Sequence, residues 1–346
     1  MGEIRRGVSL YSLQDEYARK TMTLDQMFQE LKGMGVQGIE VLTDQMIHGA
    51  PHPFPETVFM WKELMERYGF EAVCNDIFIN STLYRNRRLT LKEQEAMLRD
   101  EILCAQLLGF PMVRLVSDTN PLLVEPVLAL AESCGVTMAL EIHGGKSFRT
   151  VNTRNFNRIM RQLDSPHVGL ILDTGIFCRC MPDIVRQYGL YYGVSPDVVT
   201  YIDRIFEEGS DPNQLYGPED PHDHSQPFAF PDDLKALLKN KGDMQYAIFA
   251  AGYENTPFET VEDYLPWVKS IHGKFYEMTP EGVEPAVRFE ELITWLGQKD
   301  WSGYICSEYE GNRSVLPGSN VDGVGQVRLH QQLLERCIAK KGDSHV

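Results

Sequence analysis

The stretch Val168-Gly169-Leu170-Ile171-Leu172-Asp173-Thr174-Gly175 decides how the rest of the chain reads. Its first five residues are apolar or small, with no polar alternation. That pattern suits a strand buried on both faces, as in a parallel sheet covered by helices. The run then stops on an aspartate. A carboxylate closing a buried strand is costly unless a charge or a metal meets it, so the segment reads as a core strand that delivers a functional group.

Seven further segments share this character: Gly7–Tyr11, Gly38–Leu42, Glu71–Asn75, Met112–Val116, Val136–Ile142, Val268–His272 and Gly303–Glu308. Between the strands lie amphipathic helical patterns at Leu24–Met34, Glu56–Tyr68, Leu91–Leu108, Leu122–Cys134, Thr153–Leu163, Phe289–Gly297 and Gly323–Ala339. Thr23 and Asp25 stand where the first helix would be capped, and Gly69, Gly109 and Gly135 each follow a helical run. Eight strands alternating with helices predict an α/β fold, the (β/α)8 TIM barrel. A doubly wound open sheet is the alternative, but no G-x-G-x-x-G fingerprint follows any strand.

One interval breaks the rhythm. Most units recur every ~30–35 residues, as a barrel of this size requires, yet the sixth strand ends at Asp173 and the seventh begins only at Val268. We therefore expect a single TIM-barrel domain over 1–346, with a long insertion between strands 6 and 7 at about 181–266 forming a lid or an interface. The insertion carries helical patterns at Pro196–Glu208 and Asp232–Lys239 and the loop Pro218-Glu219-Asp220-Pro221-His222-Asp223-His224. Its aromatic residues (Tyr188, Tyr191, Tyr192, Tyr201, Tyr216, Phe228, Phe230) suit stacking on a flat ligand or an oligomer interface.

Charge narrows the possible partners. Across 346 residues, 33 Lys+Arg stand against 49 Asp+Glu, a formal net charge of −16. Binding to phosphate backbones or anionic membrane surfaces needs clustered cations, so neither nucleic acid nor membrane is expected. The N-terminus has no apolar signal segment, and no stretch approaches 18 apolar residues. The seven cysteines are scattered and odd in number, which suits reduced thiols. A cytoplasmic location is the expectation.

The chemistry gathers at the ends of the last four strands: Glu141-Ile142-His143, Asp173-Thr174-Gly175, His272-Gly273-Lys274 and Glu308-Tyr309-Glu310. Each strand ends at the same face of a barrel, so Glu141, Asp173, His272 and Glu308 converge there. Three carboxylates and an imidazole form a hard, oxygen-rich set suited to Mn²⁺ or Mg²⁺. His143 lies two residues beyond Glu141 and faces the same side. It is a candidate base, or alternatively an imidazole that orients Glu141. Lys274 stands in the same relation to His272, either touching a substrate oxygen or solvated at the rim. His222 and His224 are either lid residues that contact a sugar or simple surface polarity.

With these residues in place, the chain resembles the xylose-isomerase-like barrel superfamily of sugar isomerases, epimerases and dehydratases. The resemblance runs from Gly7-Val8-Ser9-Leu10-Tyr11-Ser12 to Gly303-Tyr304-Ile305-Cys306-Ser307-Glu308-Tyr309-Glu310. It implies that Glu141, Asp173, His272 and Glu308 bind one divalent metal, Mn²⁺ before Mg²⁺ or Co²⁺. AP endonucleases resemble the same barrel but place a His three residues after the Asp, where this chain has Ile176. Within the superfamily, Ser12-Leu13-Gln14-Asp15-Glu16-Tyr17, Glu141-Ile142-His143-Gly144-Gly145 and Ser270-Ile271-His272-Gly273-Lys274-Phe275-Tyr276 look most like the catalytic α subunit of bacterial C-glycoside deglycosylases.

That resemblance implies a lyase that cleaves 3-oxo-C-glycosides and works in a hetero-oligomer with a small β-type subunit. His143, Glu141 and Glu308 would be catalytic, and Lys274, Glu310, His222 and His224 would bind substrate. The alternative is a sugar isomerase or epimerase using the same proton abstraction beside a metal-held carbonyl.

Overall fold

The computed structural model describes residues 2–79, 81–218 and 226–343. The strands are β1 (Ile4–Ser9), β2 (Gly38–Leu42), β3 (Glu71–Ile77), β4 (Met112–Leu115), β5 (Thr137–Ile142), β6 (Val168–Asp173), β7 (Val268–Phe275) and β8 (Gly303–Tyr309). They form a closed barrel in sequence order. The seam is the parallel pairing of β1 with β8, from Ile4 opposite Gly303 to Val8 opposite Ser307. Each expected strand is present. β7 runs past His272 to Phe275, which puts Lys274 on the strand, opposite Glu308 of β8.

Strand periodicity sorts the side chains into two cores. Val73, Cys74, Met112, Ala139, Ile171, Tyr304 and Cys306 form a small apolar cluster of their own. Their chain neighbours Met138, Leu140, Leu170 and Leu172 belong to the large core shared with the surrounding helices. The near-continuous apolar strands seen in the sequence therefore serve both sides of the sheet. Polar groups are concentrated further along the same strands: Glu40, Asp76, Arg114, Glu141, Asp173, His272, Lys274 and Glu308 are all buried.

The helix ends follow local chemistry. Thr23 accepts from the Gln26 backbone N–H while the Gln26 side chain returns the bond, a capping box opening Leu24–Gly33. Gly69, Gly109 and Gly135 close their helices in the left-handed region, as anticipated.

Between β6 and β7 the chain forms helices Asp183–Tyr191, Pro196–Glu207, Pro212–Tyr216, Asp232–Leu237, Lys241–Ala250 and Glu259–Glu262. Two of these were legible as helical patterns; the others are short or lack a clean apolar stripe. Tyr216 donates to the Ala247 carbonyl at 2.7 Å, and Tyr201 donates to Asp233 at 3.0 Å, tying the segment together. The two histidines His222 and His224 lie outside the described residues. All seven cysteines are free. Among the described residues no helix is long and apolar enough to cross a membrane.

Candidate active site

Strand register brings the acidic strand ends together. Asp173 lies opposite His272 across β6 and β7, and Lys274 lies opposite Glu308 across β7 and β8. His272 is fully buried, and its Nδ1 lies 2.9 Å from Glu141 Oε1 and 3.6 Å from Glu308 Oε2. Glu141, His272 and Glu308 are thus gathered closely enough to share one metal ion. Glu308 Oε2 is buried without a hydrogen-bond partner, and a buried carboxylate oxygen without one is a costly arrangement. Oxygen and imidazole donors of this kind suit a hard divalent cation, so the residues present fit such an ion.

Asp173 reaches the same mouth through a different contact. Its Oδ1 accepts the Gly175 backbone N–H at 2.7 Å, and its Oδ2 accepts from Lys274 Nζ at 2.5 Å. Lys274 therefore stands between Asp173 and the other three candidate ligands. The rim-lysine alternative is wrong for this residue. It is 3% exposed and lies 3.9 Å from Glu308 and 3.8 Å from Glu310. Strand β7 extends two residues further than its apolar pattern suggested before reaching this lysine, so the side chain is pulled into the barrel mouth by the carboxylates.

The charges are strongly interdependent. Burial opposes the charge on Lys274, but Asp173, Glu308 and Glu310 hold its ammonium well above the usual lysine range. Burial would raise Glu141, yet Arg114 and His272 keep its carboxyl well below the usual carboxylate range. For Glu308 burial prevails over Lys274 and His272, and the carboxyl is pushed up to about 7.

His143 follows β5 and faces Lys274. Its Nδ1 is 2.7 Å from the Gly144 carbonyl, which can only accept, so Nδ1 carries the proton. Nε2 then presents its lone pair to Lys274 Nζ at 2.9 Å. A base must offer such a lone pair, and His143 offers it at the edge of the acidic cluster, 3.6 Å from Asp173.

The loop after β5 is locked to the insertion. Gly144 and Gly145 pack directly on Gly252, where a Cβ on Gly144 would sit 2.4 Å from the Gly252 carbonyl oxygen. Glu254 accepts from the Gly145 N–H at 2.7 Å and from the Ser147 hydroxyl. The insertion and the barrel together enclose a cavity of about 970 Å³. Its lining combines the polar side chains of His143, Lys146, Lys274, Glu310 and Arg313 with the aromatic rings of Tyr188, Tyr192, Phe228, Tyr246, Phe249 and Tyr253.

Three buried groups that sequence reading passed over complete the site. Glu40 on β2, Asp76 on β3 and Arg114 on β4 lie beneath His272. The signal was available, because each is a charge inside or at the end of an otherwise apolar strand run.

The barrel agrees with comparisons to known proteins. The sequence model of the xylose isomerase-like TIM barrel matches residues 28–195. The strand topology itself makes the chain a closed eight-stranded TIM barrel. Among solved barrels, a sugar phosphate isomerase/epimerase from Parabacteroides distasonis superposes with a TM-score of 0.54 at 13% identity, covering 99% of this chain and 96% of that one. A D-allulose 3-epimerase from Methylomonas sp. gives 0.53 at 11% identity, covering 97% and 99%. These likenesses concern the fold. In sequence, the chain is 26% identical over 320 residues to a C-glycoside deglycosidase alpha subunit of Arthrobacter globiformis, covering 90% of this chain and 85% of that protein. It is 27% identical over 316 residues to a 3'-dehydrocarminate deglycosidase alpha subunit of Microbacterium sp., covering 89% and 88%.

Proposed function

We propose that the chain is the catalytic subunit of a divalent-metal-dependent lyase that cleaves the carbon–carbon bond of 3-oxo-C-glycosides. The observation that carries this reading is a cavity lined both by His143, Lys274 and Glu310, which adjoin the ligand cluster, and by an array of aromatic rings from the insertion. A small free ketose would leave much of that aromatic lining uncovered, whereas a sugar joined to a flat aglycone can contact both kinds of lining. The deglycosidase relatives, similar over most of their length, support it independently.

Glu141, His272 and Glu308 would hold the ion, with Asp173 joining them once Lys274 yields its contact. When bound, a divalent ion supplies Lewis-acid polarisation of the substrate ketone. Once Lys274 Nζ has turned away from its lone pair, His143 Nε2 takes the proton on the carbon beside the ketone, the sugar's C2. The electrons left behind expel the aglycone carbon from C1, and that carbon takes up a proton. The product is an unsaturated keto sugar, with no water or nicotinamide consumed. Lys274 holds His143 in place before substrate enters, and Glu308 would serve the ion through its unpartnered carboxylate oxygen. Lys146 is paired with Asp118 at 2.6 Å, Arg313 with Glu310 at 3.2 Å and Lys274 with Asp173. Among the described residues, every lysine and arginine lining this cavity is therefore already matched to a carboxylate, which favours an unphosphorylated sugar.

The naming of the relatives as alpha subunits supports a small β-type partner in a hetero-oligomer. Mn²⁺ is the ion proposed, and cytoplasmic residence goes with it. The second reading, a sugar isomerase or epimerase, uses the same His143 step and is kept because the fold is shared with such enzymes. Incubating the Mn²⁺-loaded chain in D₂O, alone and with a co-expressed neighbouring protein, separates the two. Aglycone released from a 3-oxo-C-glucosyl flavonoid supports the lyase. Deuterium entering free ketoses, with no aglycone released, replaces it with the epimerase.

A further inference from the structure

A histidine can bind a metal through one ring nitrogen only if something fixes which nitrogen that is. In His272 the two nitrogens face opposite ways. Nδ1 faces Glu141 and Glu308 on the cavity side. Nε2 faces inward, 3.0 Å from Glu40 Oε1 and 3.8 Å from Asp76 Oδ1. All of these groups are buried, with His272 and Glu40 fully so.

We propose that Glu40 is a positioning residue that holds the His272 ring by its Nε2 side, so that Nδ1 is the nitrogen presented to the divalent ion. This inference rests on the metal reading given above. Three observations carry it. First, the Nε2–Glu40 contact is an ion pair whose angle falls short of a hydrogen bond, and neither atom has another hydrogen-bond partner. Two buried polar atoms 3.0 Å apart with nothing else to satisfy them gain by aligning on each other. Second, a carboxylate behind a ligating imidazole fixes its tautomer and raises its basicity as a ligand. Glu40 stands where such a carboxylate must stand, on the far side of the ring from Glu141. Third, Glu40 is itself held in place from below. Asp76 adjoins it, and Arg114 Nε contacts Asp76 Oδ1 at 3.3 Å while Arg114 Nη1 reaches Glu141 at 3.7 Å. The guanidinium thus connects the carboxylates on both sides of the imidazole.

Glu40, Asp76 and His272 are also close enough to hold an ion of their own. The Arg114 cation already lies against Asp76, however, and His272 has one nitrogen for each side. We therefore assign these acids to support rather than to a second ion.

The test uses the full chain with Glu40→Gln and Glu40→Ala, checked for wild-type melting behaviour. Titration with Mn²⁺, read by the electron spin resonance of the free ion, should give one ion per wild-type chain. Affinity should fall roughly 10–100-fold in Glu40→Ala, with Glu40→Gln between the two because its amide oxygen can still face Nε2. Ring-¹⁵N-labelled histidine in the metal-free chain gives a readout that needs no ion and no folding inference. The His272 Nε2–H signal should carry the shift of a carboxylate acceptor in the wild type and lose it in Glu40→Gln. Equal Mn²⁺ affinity in all three proteins overturns the proposal, as does an unchanged Nε2–H signal. Two ions per wild-type chain, one of them lost with Glu40, would replace it with a second metal site. A wild-type chain that binds no Mn²⁺, Mg²⁺ or Co²⁺ sinks the metal reading instead, and the Nε2–H signal then still decides whether Glu40 holds His272.

Discussion

Nζ of Lys274 lies 2.9 Å from Nε2 of His143 and also bonds Asp173 Oδ2. One ammonium thus occupies the gap between the proposed base and a proposed ligand. It competes with a divalent ion for Asp173 and Glu308, because like charges cannot share those carboxylates without cost. Lys274→Met should therefore bind Mn²⁺ at least as tightly as the wild type in calorimetric titration. Turnover should fall on the order of 10²-fold, since the base loses its orienting donor. Weaker Mn²⁺ binding in this variant would show that the lysine helps to build the site.

His143 is assigned to proton transfer and not to the ion. His143→Ala should keep Mn²⁺ binding within about threefold, while aglycone release drops by roughly 10²–10⁴-fold, the usual worth of a positioned general base. Full activity in His143→Ala would remove the assignment.

The glycine contact between the β5 loop and the insertion has no spare room. A methyl group on Gly144 would meet the Gly252 carbonyl oxygen at 2.4 Å, and neither partner is a flexible side chain. Gly144→Ala should lower stability by about 1–3 kcal/mol, the usual cost of overpacking, read as a reduced melting temperature. It should also lower turnover, because His143 precedes the displaced loop.

Tyr192 lines the cavity, with its ring 4.7 Å from Tyr188 and 5.1 Å from Tyr191. If this aromatic lining takes the aglycone, Tyr192→Ala should raise KM about 3–10-fold, given ~0.5–1.5 kcal/mol for an aromatic contact. The effect on kcat should be small. The same rise for a substrate lacking an aromatic ring would contradict the assignment.

His330, behind β8, tests the fold in place of the site. It stacks on Phe275 at 4.1 Å, its Nδ1 is 2.7 Å from Ser307 Oγ, and burial lowers its pKa to about 3. A folded pKa below the unfolded value near 6.5 means that the stability is present above 6.5 and is lost as pH falls towards 3. Between pH 7 and 5 this one group should remove about 2 kcal/mol. Urea unfolding of the wild type should show that slope, and His330→Phe, which keeps an aromatic ring on Phe275, should flatten it.

Sequence reading went furthest where burial left a simple pattern. Leu170-Ile171-Leu172-Asp173 read as a strand ending on a carboxylate, and β6 does end at the buried Asp173, because strands covered on both faces stay apolar until they reach the mouth of the barrel. His272 was picked out across the long insertion, and the structure brings it beside Glu141 and Glu308. For Lys274 the sequence left substrate contact and a solvated rim as open alternatives, because a lysine is normally solvated. Only the register placing it opposite Glu308 reveals the carboxylates that hold it in. Glu40 and Arg114 were passed over because a single charge within an apolar strand gives no hint of its partner on another strand. Lys241–Ala250 was not anticipated either, since both its faces carry apolar residues and no stripe stands out.

The most direct test of the proposed chemistry compares aglycone release from a 3-oxo-C-glucosyl flavonoid carrying hydrogen or deuterium at C2, using the Mn²⁺-loaded chain with its co-expressed partner. Release that is abolished by EDTA and slowed several-fold by deuterium would place proton removal at C2 before or within carbon–carbon cleavage, as the account predicts. Release that is unaffected by both EDTA and deuterium, or deuterium exchange with the aglycone left in place, would contradict it.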